Sequence, residues 1–308
     1  MTRTARALVA VLVVLTLVST SCGGSGDREP TPTATTPTPT SSPSPSPSPP
    51  APRQGPAYVA LGDSYTAGGP IGTLQEHGFF CQRSSLNYPS VVATTLDLPL
   101  TDVSCGGATS AGLLRPLRGA PAQIEAIRPR TRVVTVGIGG NDFGLYNTLL
   151  VTCPEVSKPK DPGSPCRERI GSKVASTIPA ISGTVGKVLA DVAAKAPRAE
   201  IVLVGYPRLM PPKGECAAAP FAAADVAWIA SMESTLAASL AAAARAQDVT
   251  FVPMYARSKG HDLCGGNAAW VNGLDPPAGD GLPLHPNAAG EKAVAGEVAK
   301  TLRKAGLG

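Results

Sequence analysis

Alternating extended and helical runs along this 308-residue chain predict an α/β fold, a three-layer α/β/α sandwich around a parallel five-stranded sheet. Two segments, Arg132–Ile138 (RVVTVGI) and Glu200–Tyr206 (EIVLVGY), carry consecutive β-branched and aliphatic residues without polar alternation. Such runs suit strands buried on both faces, as parallel strands are. Between runs of this kind lie longer segments of helical character, above all the Ala-rich stretch Ala222–Ala246, whose intrinsic helix propensity is high. In chain order the expected strands are Ala57–Leu61, Thr101–Ser104, Arg132–Gly137, Glu200–Gly205 and Thr250–Pro253. The expected helices lie near Tyr88–Leu96, Gln123–Arg128, Cys166–Ala194, Ala222–Ala246 and Asn287–Lys304.

The segment before Ala57 has a different composition. Residues 1–21 read as an export signal, with Arg3 and Arg6 ahead of the apolar run Ala7–Val18. That run is short for a membrane span, which takes about 20 residues. Ser19-Thr20-Ser21-Cys22-Gly23-Gly24 resembles a bacterial lipoprotein cleavage site, in which Cys22 would be acylated and anchor the chain to a membrane. Ser19 departs from that pattern, which usually has Leu or Val there, and a plain cleaved secretory signal is the alternative. Residues 22–56 are almost entirely Gly, Ser, Thr and Pro after the cysteine, with too little apolar surface to fold. They read as an extended tether with a reach on the order of 100 Å at roughly 3.1 Å per residue. The folded part is then residues 57–308, roughly 250 residues and enough for one substantial core.

The formal charge of +5 falls to +3 without Arg3 and Arg6 (5 − 2). The densest basic cluster, Arg128, Arg130 and Arg132, has no interleaved aromatics, which argues against nucleic-acid binding. Besides Cys22 there are six cysteines, Cys81, Cys105, Cys153, Cys166, Cys216 and Cys264. An even number behind an export signal implies disulfides formed in an oxidising compartment. Six cysteines allow fifteen connectivities, of which the sequential one, 81–105, 153–166 and 216–264, is the simplest. With no Cys-x-x-Cys pair and no clustered histidines, the chain carries no metal signature.

In open parallel sheets ligands collect beyond the carboxyl ends of the strands, so the residues there are the first functional candidates. The first strand ends in Gly62-Asp63-Ser64 and the second runs into Cys105-Gly106-Gly107-Ala108-Thr109. The third ends in Gly139-Gly140-Asn141-Asp142, and Leu284-His285-Pro286-Asn287 opens the last helix. A serine hydroxyl needs a neighbouring base to become a nucleophile. Of the three histidines, His77 has no structural signal near it and His261, beside Asp262, is the runner-up. His285 stands just before Pro286, a residue favoured in the first turn of a helix, and so has the most rigid mount. Acyl transfer also builds an oxyanion, which needs convergent donors. The Ser64 and Gly107 amides and the Asn141 side chain are the candidates. Each alone reads equally well as a turn residue; their arrival at successive strand ends is what points to chemistry.

These motifs resemble the SGNH, or GDSL, hydrolase family, named for a Ser, a Gly, an Asn and a His in separate sequence blocks. GDSYTAG (Gly62–Gly68) is similar to the first block, GGAT (Gly106–Thr109) to the second, GGND (Gly139–Asp142) to the third and HPNAAG (His285–Gly290) to the last. The resemblance implies a flavodoxin-like fold, Ser64 as nucleophile, His285 as general base and an oxyanion hole of Ser64, Gly107 and Asn141, with Gly106 the substitute if the register slips. The six cysteines and the VGYP and HDLCGG segments are similar to the actinobacterial secreted esterase and lipase branch, whose disulfides pair sequentially. Thr66 stands where an α/β-hydrolase nucleophile elbow has its second glycine, which argues against that fold.

The family usually places an Asp three residues before the His; here that position is Leu282, and Asp280 lies five before. Either Asp280 folds back onto the imidazole, or a backbone carbonyl near Leu282 or Pro283 orients it, as in some members of the branch. The expected function is an exported hydrolase of small-molecule or lipid esters, acting as a monomer and without metal or organic cofactor. A phospholipase, a carbohydrate-ester deacetylase and a non-catalytic solute-binding lipoprotein are the rival readings. Gly72–Phe80 and Ala256–Leu284 would line its groove, with Phe79, Phe80 and Trp270 as candidate apolar contacts.

Overall fold

The structure, a computed structural model, describes residues 57–75, 80–219 and 221–307. The export signal, Cys22 and the tether read over residues 22–56 lie outside the described residues, as do His77 and Phe79.

Five strands form one parallel sheet. In chain order the elements are β1 (Tyr58–Gly62), α1 (Ser64–Ala67), α2 (Tyr88–Leu96), β2 (Leu100–Asp102), β3 (Val133–Gly137), α3 (Cys153–Val156), α4 (Pro165–Lys195), β4 (Glu200–Val204), α5 (Ala223–Ala246), β5 (Thr250–Val252), α6 (Met254–Arg257) and α7 (Ala288–Lys304). Strand order is β2-β1-β3-β4-β5, with β1 paired to β3 from Tyr58 opposite Val133 to Gly62 opposite Gly137. From β1 the chain first adds β2 on one side, then returns to add β3 on the other. The crevice between β1 and β3 is therefore the switch point where such sheets hold ligands.

Both faces of the sheet are covered, which accounts for the unbroken apolar runs. Val59, Leu61, Val134, Val136 and Leu203 point into a cluster with α4 and α5. Tyr58, Ala60, Val133, Val202 and Val252 point the other way, into a cluster with α2 and α7. Each fully buried Val or Leu contributes about 1.5–3 kcal/mol. On α4 the buried residues recur every three or four positions, at Cys166, Ile170, Val174, Ile178, Ile181 and Val185. That stripe keeps the helix continuous through Pro179, which forfeits one backbone hydrogen bond. Disulfides join Cys81 to Cys105, Cys153 to Cys166 and Cys216 to Cys264.

Three expectations need local correction. The helix expected at Gln123–Arg128 is only a 3₁₀ turn, Gln123–Ala126. Gln123 spends its side-chain amide on β1 instead, accepting from the Gly62 amide at 2.8 Å and donating to the Gly62 carbonyl at 2.9 Å. The second strand stops at Asp102, whose Oδ1 accepts from the Ser104 amide at 2.9 Å and turns the chain out of the ladder. Pro286 lies ahead of α7, because Asn287 is its N-cap, accepting from the Gly290 amide at 2.9 Å.

Candidate active site

Gly62 ends β1 where no other residue fits: a Cβ there would lie 2.1 Å from Thr66 Oγ1 and 2.8 Å from the Gly137 carbonyl oxygen. Asp63 then caps α1, its Oδ1 accepting from the Tyr65 amide at 2.9 Å, while Oδ2 accepts from the Tyr206 hydroxyl at 2.5 Å. Its carboxyl is wholly enclosed, and burial pushes its pKa up to about 7 against the opposing pull of those two donors. Ser64, first residue of α1, is thereby raised half-exposed above the carboxyl edge of the sheet.

The imidazole of His285 meets that serine. His285 Nε2 lies 2.8 Å from Ser64 Oγ, and Nδ1 lies 2.7 Å from the Pro283 carbonyl oxygen. A carbonyl only accepts, so Nδ1 carries the proton and Nε2 presents a lone pair to the serine hydroxyl. Burial holds the imidazole below its ordinary pKa of 6.5, and the Pro283 carbonyl offsets this only in part. The ring therefore stays neutral at pH 7. Asp280 is elsewhere: its Oδ1 accepts from the Ala288 amide at 2.8 Å, at the start of α7, and its carbonyl from Asn272 Nδ2 at 2.6 Å. Leu284, just before the histidine, has a left-handed backbone, φ +57°. Its carbonyl is held by the Tyr65 hydroxyl at 2.7 Å, and the Tyr65 ring packs 4.7 Å from the imidazole. Asn287 adds two further ties to the loop, from its amide to the Trp270 carbonyl at 3.0 Å and from Nδ2 to the Ala269 carbonyl at 2.9 Å.

Opposite the imidazole stand the loops after β2 and β3. Gly106 donates its amide to the Cys81 carbonyl at 3.0 Å, so that amide is spent. Gly107 turns with φ +80° and is exposed; neither its amide nor that of Ser64 has a protein acceptor among the described residues. Asn141 Nδ2 donates one hydrogen to the Ala108 carbonyl at 3.1 Å and keeps a second. The next residue, Asp142, ties the two loops together, accepting from the Ser110 amide at 2.7 Å and from Thr184 Oγ1 at 2.5 Å.

Other candidates lie apart. His261 stacks on Trp270, ring centroids 4.0 Å apart, with Nδ1 2.6 Å from the Ala268 carbonyl oxygen. Trp270 packs against the α2–α7 core cluster. Asp262 is a turn residue whose Oδ1 accepts from the Cys264 amide at 3.1 Å. Three tyrosines at the site are absent from the sequence candidates: Tyr65, Tyr146 and Tyr206 pack with ring centroids 5.1–5.5 Å apart beneath Ser64 and His285. Tyr65 lies inside the first block and Tyr206 inside the VGYP segment, but only their shared position in the fold joins them.

A parallel sheet that presents a serine hydroxyl bonded to a neutral imidazole at its switch point has the architecture of a serine hydrolase. The chain belongs to the GDSL-like lipase/acylhydrolase family, whose profile matches residues 60–293. It is 35% identical over 250 residues to Lipase 2 of Streptomyces coelicolor, an alignment covering 77% of this chain and 83% of that one. Among solved structures it is similar to phospholipase A1 of Streptomyces albidoflavus NA297, with a TM-score of 0.67 and 27% identity across 81% of this chain and 99% of that one. An extracellular lipase of Streptomyces rimosus is equally similar, with a TM-score of 0.66 and 27% identity across 80% of this chain and 98% of that one. The protein is a carboxylic ester hydrolase, which displaces the solute-binding reading.

Proposed function

We propose that the protein is an exported hydrolase of acyl esters, lipid esters among them, working through a Ser64–His285 dyad. The reading rests on one observation above all: the 2.8 Å contact from His285 Nε2 to Ser64 Oγ, with Nδ1 occupied by a carbonyl. Ser64 Oγ bonds to the ester carbonyl carbon as its proton passes to His285 Nε2. The carbonyl oxygen takes the electron pair and is held by the Ser64 and Gly107 amides and Asn141 Nδ2. As the tetrahedral adduct collapses, the alkoxide leaves with the proton from Nε2 and the acyl group stays on Ser64. A water then gives its proton to His285 and repeats the addition, releasing the carboxylic acid. Pro283 keeps Nδ1–H fixed through both halves.

The similarity to a lipase and a phospholipase A1 supports a lipid ester as the substrate. Three disulfides support folding outside the cytoplasm. Cys22 would add a lipid anchor to that location, and the chain would act as a monomer. The test is pre-steady-state hydrolysis of 4-nitrophenyl esters. A burst of nitrophenolate is expected from the wild type, and Ser64→Ala should lose at least about 10³-fold in kcat. A Ser64→Ala variant that turns over normally would refute the reading.

A further inference from the structure

The segment Cys105–Gly107 borders two spaces. A Cβ on Gly106 would lie 4.0 Å from Ser64 Cβ, on the side of the hydrolytic pair. Cys105 also lines a cavity of about 620 Å³, within the range that small-molecule sites occupy. Ser64, Asn141 and His285 do not line that cavity. Its walls are largely apolar, with Val103, Leu117, Pro121, Ala122 and Ala126 facing the Cys81–Cys105 disulfide. Three arginines, Arg83, Arg118 and Arg128, stand around it against one acid, Glu125. Arg83 is buried and donates to the Ser104 carbonyl at 2.9 Å. Arg128 donates to the carbonyls of Glu125 and Ile127, which leaves its charge in place at the rim.

Arg118 is the notable one. Its Nη2 would be 3.7 Å from a Cβ on Gly107, so the guanidinium reaches from the cavity to the glycine whose amide faces the reacting carbonyl in the mechanism above. Among the described residues it makes no ion pair. It also sits where the backbone disfavours it. Leu117 and Ala120 exchange backbone hydrogen bonds of 3.0 and 2.9 Å around Arg118 and Gly119, whose φ values are +51° and +79°. That is a two-residue turn of the primed type, which strongly favours Asn, Asp or Gly at its first position. An arginine there gives up backbone energy and places a planar double donor, suited to carboxylate and phosphate, over the mouth of an apolar cavity.

We propose that this cavity binds an anionic amphiphile, its apolar chain along the Leu117–Pro121 wall and its carboxylate or phosphate head on Arg118. The site is separate from the hydrolytic pair and stands whether or not Ser64 is the nucleophile. Calorimetric titration of the whole protein tests it, with dodecanoate and dodecyl phosphate below their micellar concentrations and dodecanol below its solubility limit. Binding of either anion at least about 10-fold tighter than dodecanol is expected, and the ratio of the two anions identifies the preferred head. Arg118→Ala should weaken the anion about 10-fold, with Arg118→Lys recovering part of the loss. Ala126→Trp, which fills the cavity, should abolish binding while the melting temperature shows the variant folded. Equal affinity for dodecanol, an unchanged Kd in Arg118→Ala, or full binding in folded Ala126→Trp would each overturn the proposal.

Discussion

At the scale of the residue, burial decides which proton each group holds. The imidazole of His285 is held below 6.5 by loss of solvent. A base that must be neutral then works from mildly acidic pH upward. We expect kcat/KM for a neutral ester to rise through a single acid limb centred below pH 6.5 and to stay flat to about pH 9. A limb centred above 7 would mean that a carboxylate supports the ring, and Asp280 would have to be that group. The sequence narrowed this choice to Asp280 or a carbonyl near Leu282 or Pro283, and could go no further. Which of them faces Nδ1 depends on the backbone path between Gly281 and His285, including the left-handed turn at Leu284, and no side-chain pattern records a φ angle. Ser64, Gly107, Asn141 and His285 were legible as candidates because each sits in a short block at a strand end or just ahead of the last helix. The part played by Tyr65 was not, since its hydroxyl holds the Leu284 carbonyl, far away in sequence.

At the scale of the element, the site depends on loops held at both ends. The loop after β2 is tied back by the Cys81–Cys105 bond and by the Gly106 amide on the Cys81 carbonyl, so the two glycines enter the crevice in one conformation. Replacing both cysteines by serine should lower stability by about 2–4 kcal/mol in denaturant unfolding. The same variant should lower kcat more than it raises KM, because the displaced amide acts on the transition state. An unchanged kcat would show that the loop keeps its course without the bond. The helices and strands that pack on the sheet were read nearly to the residue: α2 as expected, β3 and α5 one residue short at the start. Their apolar runs are long and their periods clear. Gln123–Arg128 failed because a short amphipathic stretch ahead of Pro129 says nothing of a glutamine needed by a neighbouring strand.

At the scale of the whole molecule, burial raises the carboxyls of Asp63, Asp102, Glu233 and Glu291. Asp63 is raised to about 7 and Glu233 to about 8. Each is harder to ionise folded than unfolded, so its contribution is full below the ordinary carboxyl range and is lost as pH rises through the folded value. The melting temperature should therefore fall between about pH 5 and 8, and Glu233→Gln should flatten the upper part of that fall. Its amide oxygen can still accept from the Leu209 and Met210 amides that Glu233 Oε2 holds at 3.2 and 3.3 Å. A melting temperature that climbs across this range would reverse the sign. The fold class was legible from alternation alone, but the disulfide pattern was an expectation among fifteen, because connectivity is a property of the folded chain. The central claim is that Ser64 is activated by His285 with a backbone carbonyl, not Asp280, behind the ring. Its most direct test is the rate of fluorophosphonate labelling, with the adduct located by peptide mass spectrometry. We expect an adduct on Ser64, a rate lowered at least about 10³-fold in His285→Ala and within about threefold of wild type in Asp280→Asn. An adduct on another residue, or an Asp280→Asn rate as low as that of His285→Ala, would contradict it.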